Sequence, residues 1–131
     1  MEAMRAREAA LKAVQDGDTA LATRILREAR RAGQWAPRVQ LVVLSWWWVI
    51  ACRYTPLPDG SALVDDVTVI RGWRTGNGLG GIYDSTEEVT ALDPEPPSHI
   101  LEGHIGRVMD LDQDVWSQAI DAAHEGKPWR R

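Results

Sequence analysis

The sequence predicts an α+β fold with an N-terminal αα-hairpin, a small antiparallel β-sheet or barrel, and a short C-terminal helix. Apolar residues recur at helical spacing in residues 1–34 and again in 112–126, whereas residues 39–111 are rich in β-branched and aromatic side chains. No helical pattern separates the strand-like segments, which argues against a parallel sheet. With 131 residues, the chain is expected to form a single domain, residues 1–131.

The αα-hairpin is predicted from composition and from its breaks. Residues 2–15 are rich in Ala, Arg and Glu, which lose little entropy in a helix. The segment 16–18, Asp-Gly-Asp, interrupts this helix, and Asp18 or Thr19 can cap the start of the next one. The second helix is expected to end at Gly33.

Three arginines follow one side of the second predicted helix. Arg24, Arg27 and Arg31 recur at helical spacing and would share one face. The simplest interpretation is a solvated face. The alternative is an electrostatic docking face for an acidic partner.

The β-rich body begins at Val39. Residues 39–54 are too many for one straight strand in a small domain, so a bend is expected near Ser45-Trp46. Residues 55–61 contain two Pro and an Asp-Gly pair and predict a turn. Further strand regions are predicted at 62–73, 83–92 and 104–111, and the Pro-rich residues 93–97 must be extended or turning.

The C-terminal helix is predicted from a capping residue, an apolar stripe and a helix-terminating segment. Asp112 or Asp114 can cap its first turn, and Gly126-Lys127-Pro128 stops it. The residues expected to form its apolar stripe are Val115, Trp116, Ala119, Ile120 and Ala123.

Charge and cysteine content exclude several classes of function. The net charge is −4, with eight Arg or Lys against five Asp or Glu in residues 1–40 and seven against fourteen in residues 41–131. An acidic body repels phosphate and disfavours general nucleic-acid binding. The single Cys excludes an internal disulfide framework and favours a reducing, cytoplasmic setting. No secretory signal is recognised, and the longest apolar run, residues 41–52, is too short to span a membrane.

Three consecutive tryptophans are the most unusual local feature. In a strand, Trp46 and Trp48 would share one face and Trp47 would lie on the other, so both faces would be apolar. Core packing between two layers is the first interpretation. A subunit or partner interface is the second, because exposed Trp patches mark association. Stacking on a base or sugar would need a basic groove, and only Arg53 is close in sequence.

A glycine-rich stretch follows the strand region at residues 62–73. It matches G-x-G-x-x-G formally, but the helix that must follow a dinucleotide-binding loop is missing from the pattern. The stretch therefore predicts a chain reversal between strands. If it contacts a ligand, the best candidates are the side chains beside the loop. The matching glycines are Gly76, Gly78 and Gly81, and the neighbouring candidates are Arg71, Trp73 and Arg74.

No other pattern specifies a chemistry. The carboxylates at 110, 112 and 114 lack the Gly and Glu of a calcium loop, and His99 and His104 lack zinc-ligand spacing. Cys52 lies in an apolar run and is expected to be buried and inert. No serine is paired with a base in the sequence. Catalytic, cofactor and metal sites are therefore not predicted.

Residues 70–80, IRGWRTGNGLG, and the later Leu92-Asp93-Pro94 resemble a family of small uncharacterised phage and prophage proteins. That family has a core similar to I-R-x-W-G-T-T-x-G-L-G-E followed by L-D-P. The likeness covers about residues 39–116. It departs at Arg74, Gly76 and Gly81, where the family has Gly, Thr and Glu. The resemblance implies a small β-rich protein from a mobile element and implies no activity.

Taken together, these features predict a non-catalytic interaction protein of phage or mobile-element type, acting in the host cytoplasm. It would bind a protein partner or further copies of itself, as an assembly component or as an inhibitor of a host system. One alternative is a small-molecule or nucleotide site at the glycine-rich loop. The other is nucleic-acid contact through Arg24, Arg27 and Arg31. No cofactor and no membrane association are expected.

Overall fold

The fold follows from a computed structural model that describes residues 2–73 and 78–130. Two helices precede an open six-stranded antiparallel sheet, and a third helix follows it, so the predicted α+β class is confirmed, with an open sheet and not a closed barrel. The elements are α1 Glu2–Gln15, α2 Thr19–Arg31, β1 Arg38–Leu44, β2 Val49–Pro56, β3 Ala62–Ile70, a 3-10 turn Gly78–Ile82, β4 Leu92–Glu95, β5 Ser98–Ile100, a 3-10 turn Glu102–His104, β6 Ile105–Asp110 and α3 Gln113–His124.

The helices begin where their caps predict. The Asp18 carboxylate accepts a hydrogen bond from the Leu21 N–H at 2.9 Å and opens α2. The Asp112 carboxylate accepts one from the Val115 N–H at 3.0 Å and opens α3. Past the end of α2, Gly33 adopts a φ of 73°, the left-handed conformation that glycine accommodates without strain.

The sheet has the strand order β4-β3-β2-β1-β6, and β5 also pairs with β3. β4 and β5 pair with β3 in one continuous register, so together they form a single edge that is interrupted at Pro96-Pro97. Proline has no N–H to offer a neighbouring strand. Opposite the interruption, Asp66 has a φ of 47° and lies where the β2–β3 register shifts, as in a β-bulge.

One strand prediction was wrong and one strand was missed. Most of residues 83–91 forms turns and irregular chain, with a single bridge between Val89 and Trp73. The pairing occurs later, in β4, and runs through Pro94. Proline is tolerated there because β4 lies at the sheet edge. β5 is only three residues long, too short for an alternating pattern to reveal it.

Helices α2 and α3 lie against one face of the sheet, and α1 packs against α2. Arg53 and Asp65 are directly paired across β2 and β3 and share that face; Arg53 contacts Asp121 of α3, and Asp65 contacts Arg27 of α2. The α3 side of this layer is centred on the fully buried Trp116, whose indole N–H donates to the Ile82 carbonyl at 2.7 Å. The Asp112 cap therefore sets the start of α3 so that its apolar side faces the sheet. Trp116, the largest residue on that side, is buried with its indole N–H hydrogen-bonded.

The opposite face of the sheet is a second apolar layer. It includes Val42, Ile50, Cys52 and Val64, all buried. The segment 101–104 crosses this face: a Cβ on Gly60, in the β2–β3 turn, would lie 2.7 Å from the Glu102 carboxyl carbon. At its other end the Ser45 N–H, in the β1–β2 turn, donates to the His104 carbonyl at 2.9 Å.

Within residues 2–73 and 78–130, no helix has the length and apolar character needed to cross a membrane.

Candidate functional site

The three tryptophans form the turn of the β1–β2 hairpin, which we call the Trp turn (residues 45–48). The Trp47 N–H donates to the Leu44 carbonyl at 2.9 Å, and the Leu44 N–H donates to the Trp48 carbonyl at 2.8 Å. The bend predicted near Ser45-Trp46 is therefore confirmed. The placement of Trp46, Trp47 and Trp48 within a strand was wrong, because the chain reverses at these residues.

The Trp turn holds its indoles out of the core. Trp46, Trp47 and Trp48 are 45%, 87% and 52% exposed. Core packing, the first interpretation of these residues, was therefore wrong; a folded core would remove such large apolar surfaces from water. The interface interpretation stays a prediction.

Trp47 also occupies an unfavourable backbone conformation. Its φ is 68°, a region where a side chain clashes with the following carbonyl and where Gly or Asn is common. Neither burial nor backbone preference explains a tryptophan here. A residue that the fold does not need, held in a strained conformation, is a candidate for function.

Two contacts fix the Trp turn to the segment that crosses the second face. One is the hydrogen bond from the Ser45 N–H to the His104 carbonyl. The other is an edge-on contact between the rings of Trp46 and His104, with centroids 5.1 Å apart and planes at 77°. These contacts with His104 hold the turn in place, so its exposed surface is preformed.

An apolar depression lies on each side of the Trp turn. The first, called here the Trp cavity, has a volume of about 220 Å³. Its lining residues are Leu44, Trp46, Trp48, Ile50, Val64, Val67, Val69, Glu95, Ser98 and Ile100. The second is an open groove of about 380 Å³ beside Trp47, lined by Val43, Leu79 and the Gly106-Arg107 part of β6. Trp46 and Trp48 therefore face a different depression from Trp47.

The three arginines of α2 do not behave as one group. Arg27 makes two 2.7 Å hydrogen bonds to the Asp65 carboxylate, and this bonding raises the pKa of the Arg27 guanidinium. Arg24 and Arg31 are exposed and form no ion pair within the described parts of the chain. Both line an open groove of about 560 Å³ that Pro96 and Pro97 border on the other side. The groove therefore carries two arginines that remain available to a ligand.

The described residues beside the glycine-rich loop make different contacts and do not form one site. Arg71 forms an ion pair with Asp93 of β4. Trp73 is half-buried and packs against the core that surrounds Trp116. Arg74 and Gly76 lie outside the described residues. Gly78 and Gly81 fall in a 3-10 turn of five residues, too short to serve as the α-helix of a dinucleotide-binding loop.

Sequence reasoning missed a polar cluster under the β2–β3 turn. The Ser61 hydroxyl donates to the Asp59 carboxylate and accepts from His99 Nε2 at 2.9 Å. The Ser61 backbone N–H also donates to the Asp59 carboxylate, and the hydroxyl and N–H bonds together lower the pKa of the Asp59 carboxyl. Ser61 is buried and its proton is directed at Asp59, so His99 is not placed to act as its base. No sequence signal links residues 38 positions apart; only the pairing of β5 with β3 brings them together.

Two buried groups on β2 have structural roles. Burial raises the pKa of the Cys52 thiol, which lies fully inside the second apolar layer, so the expected burial is confirmed. Arg53 is buried and contacts Asp66 at 2.9 Å and Asp121 at 3.3 Å. A lone arginine in an apolar strand, followed by the Asp65-Asp66 pair, was the available signal for this network.

Comparison of the chain with protein-family models, with curated proteins and with solved structures finds no match. Among the described residues, no group of three or more His, Cys, Asp or Glu is arranged to hold a metal ion.

Proposed function

We propose that this chain is a non-catalytic interaction protein that binds a protein partner, or further copies of itself, through the Trp turn. The single observation that carries the proposal is Trp47, which is 87% exposed at a φ of 68°. Trp is enriched among the residues that dominate binding energy at protein interfaces. Maintaining it at a left-handed position costs about 1–2 kcal/mol, which binding to a partner would offset.

The neighbourhood of Trp47 supports a protein partner. The groove beside it is open and mostly apolar, and its lining includes Val43, Leu79 and Arg107. Aromatic and Arg side chains are enriched at protein interfaces. The turn is held by β1, β2 and the His104 contacts, so little ordering would be required on binding.

A non-catalytic role is supported by the state of two candidate nucleophiles, Ser61 and Cys52. The Ser61 hydroxyl donates to Asp59 and is buried. The Cys52 thiol is buried and its pKa is raised, which disfavours the reactive thiolate.

The phage or mobile-element origin, and the resulting location in a host cytoplasm, rest on the resemblance over residues 39–116. Assembly component and inhibitor of a host system are the two forms of the proposal. Self-association through the Trp turn would support the first form, and a host partner would support the second.

Nucleic-acid contact through α2 has weaker support. Arg27 is bonded to Asp65, which leaves Arg24 and Arg31 as the available charges on that face. The protein as a whole carries a net charge of −4, which opposes binding to a polyanion.

Affinity capture with matched variants tests the proposed function. The wild type, Trp47→Asn and the double variant Arg24→Ser/Arg31→Ser are immobilised and exposed to source-cell lysate, and retained proteins are quantified by mass spectrometry. Asn tolerates the left-handed conformation, so Trp47→Asn preserves the turn while it removes the indole. We expect a partner that the wild type and the double variant retain and Trp47→Asn loses.

Two results would overturn the proposal. In one, Trp47→Asn retains every protein that the wild type retains and has the same oligomeric state as the wild type. In the other, binding is lost in the double arginine variant alone. Sedimentation velocity on the same three proteins separates the two forms, because self-assembly produces an oligomer of the wild type that Trp47→Asn does not form.

A further inference from the structure

We propose that the Trp cavity binds a small organic cation with an apolar body, such as a quaternary ammonium compound. The site is distinct from the surface around Trp47, which does not line this cavity. It combines an aliphatic floor, two tryptophans at the mouth and one carboxylate.

The floor of the Trp cavity is the second apolar face of the sheet. Val67 and Val69 of β3 are buried members of that face and line the cavity. Trp46 and Trp48, about half-exposed, form the wall at the hairpin end. Such walls and floor would exclude water from one side of a ligand, and among aromatic side chains the indole of Trp attracts cations most strongly.

Strand register places the polar lining residues on the same face. Glu95 is directly opposite Val67, and Ser98 is directly opposite Val64. Residues directly opposite in an antiparallel pair project to the same side of the sheet. Glu95 and Ser98 therefore project from the face that forms the cavity floor.

The charge at the Trp cavity is negative. Asp93 shares this face of β4, opposite Val69, but it is paired with Arg71. None of the ion pairs within residues 2–73 and 78–130 involves Glu95. Among the described residues that line the cavity, Glu95 is the sole charged one. The Glu95 carboxylate is exposed; it repels an anion and attracts a cation, and it adds nothing to the binding of a neutral ligand.

Size and composition together select the class of ligand. A dry cavity of about 150 Å³ is enough to hold a benzene ring, and the Trp cavity has about 220 Å³. Quaternary ammonium groups are recognised by aromatic side chains and have no N–H that needs a partner. A ligand of only a few non-hydrogen atoms is expected to bind with millimolar affinity.

Nuclear magnetic resonance titration tests the proposal with a charged ligand and its neutral isostere. Choline and 3,3-dimethyl-1-butanol have the same shape and differ in the positive charge. The indole N–H signals of Trp46 and Trp48, assigned from Trp46→Phe and Trp48→Phe variants, are followed in each titration. Choline is expected to shift both signals saturably, with an affinity about tenfold higher than that of the alcohol.

Two carboxylate variants provide a matched pair. Glu95→Gln removes the charge at the cavity, and Glu28→Gln removes one exposed charge on α2, on the other face of the sheet. Glu95→Gln is expected to weaken choline binding about five- to tenfold, and Glu28→Gln is expected to leave it unchanged. Trp47→Asn, which disrupts only the proposed protein surface, is also expected to leave choline binding unchanged.

Three outcomes would overturn the cation site: equal affinity for choline and the alcohol, equal weakening by Glu95→Gln and Glu28→Gln, or no saturable shift for choline at millimolar concentrations. Because the protein surface is tested with Trp47→Asn and the cavity with Glu95→Gln, failure of one proposal is distinguishable from failure of the other.

Discussion

Trp47 and Asp66 are the two non-glycine residues with positive φ in the described parts of the chain, at 68° and 47°. Asp66 has a clear structural reason, since its carboxylate meets the buried Arg53 at 2.9 Å. Asp also reaches this conformation more readily than most residues. Trp47 has neither advantage, which is why we attribute its exposed indole to binding and not to folding.

Replacing Trp47 separates backbone strain from binding. Trp47→Gly removes the Cβ clash, and its free energy of unfolding is expected to equal or exceed that of the wild type. Trp47→Val keeps the clash and adds a β-branch, and it is expected to be about 1 kcal/mol less stable than Trp47→Gly. Urea denaturation measures the free energy of unfolding of both variants. A Val variant as stable as the Gly variant would show that position 47 does not hold the left-handed conformation.

The Arg53 network offers a second comparison at single residues. Asp66→Asn keeps a side chain that tolerates positive φ but removes the charge opposite Arg53, whose side chain is 7% exposed. We expect this variant to lose about 2 kcal/mol of stability. Asp121→Asn alters the partner that is 56% exposed, and it is expected to lose about 0.5 kcal/mol. Thermal or urea unfolding measures the loss of stability in each variant. A larger loss for Asp121→Asn than for Asp66→Asn would show that Asp121 is the principal partner of Arg53.

At the scale of elements, local signals determined what the sequence could predict. Caps at Asp18 and Asp112 fixed the starts of α2 and α3 because those hydrogen bonds span only three residues. β4 and β5 could not be predicted in the same way, because an edge strand containing Pro94 and a three-residue strand have no clear alternation. The Trp turn was misassigned because Trp favours strands in general, whereas hairpin closure overrides that preference.

Edge strand β6 depends on a close approach of two backbones. A Cβ at Gly106 would lie 2.9 Å from the Val43 carbonyl oxygen, where the β1–β6 register shifts. Gly106→Ala must displace that backbone and is expected to destabilise the protein by about 1–3 kcal/mol.

Gly103→Ala is the matched control for Gly106→Ala, since nothing lies within 4 Å of a Cβ at Gly103. It is expected to be neutral or slightly stabilising, because alanine reduces the freedom of the unfolded chain. Urea denaturation compares the two variants, and equal stability would show that β6 does not approach β1 at Gly106.

At the scale of the whole molecule, the sheet separates a helix-covered layer from a layer crossed by residues 101–104, and Cys52 lies in the second layer. Its burial predicts that alkylation by iodoacetamide is limited by unfolding. Native protein should react slowly and urea should accelerate the reaction. A Ser45→Cys/Cys52→Ala variant, with its thiol in the exposed turn, should react rapidly without urea. Fast native labelling would contradict the burial of Cys52 in the second layer.

The assembled site could be predicted from the sequence only in part. Three consecutive tryptophans mark residues 46–48 as unusual in the sequence alone. Whether Trp46, Trp47 and Trp48 are exposed depends on where the hairpin turns. The Trp cavity was not foreseeable, because Glu95 joins it through the register of β4 with β3. Long-range pairing of this kind leaves no periodic signal in one sequence.

Photo-crosslinking in the source cell tests the central claim most directly. The photoreactive residue p-benzoylphenylalanine is placed at position 47, where its aromatic ring replaces the indole, and in a second variant at position 24 on α2. We expect a discrete protein adduct from position 47 after irradiation and no corresponding adduct from position 24. Absence of an adduct at 47, or an adduct at 24 alone, would contradict the assignment of the Trp turn as the protein-binding surface.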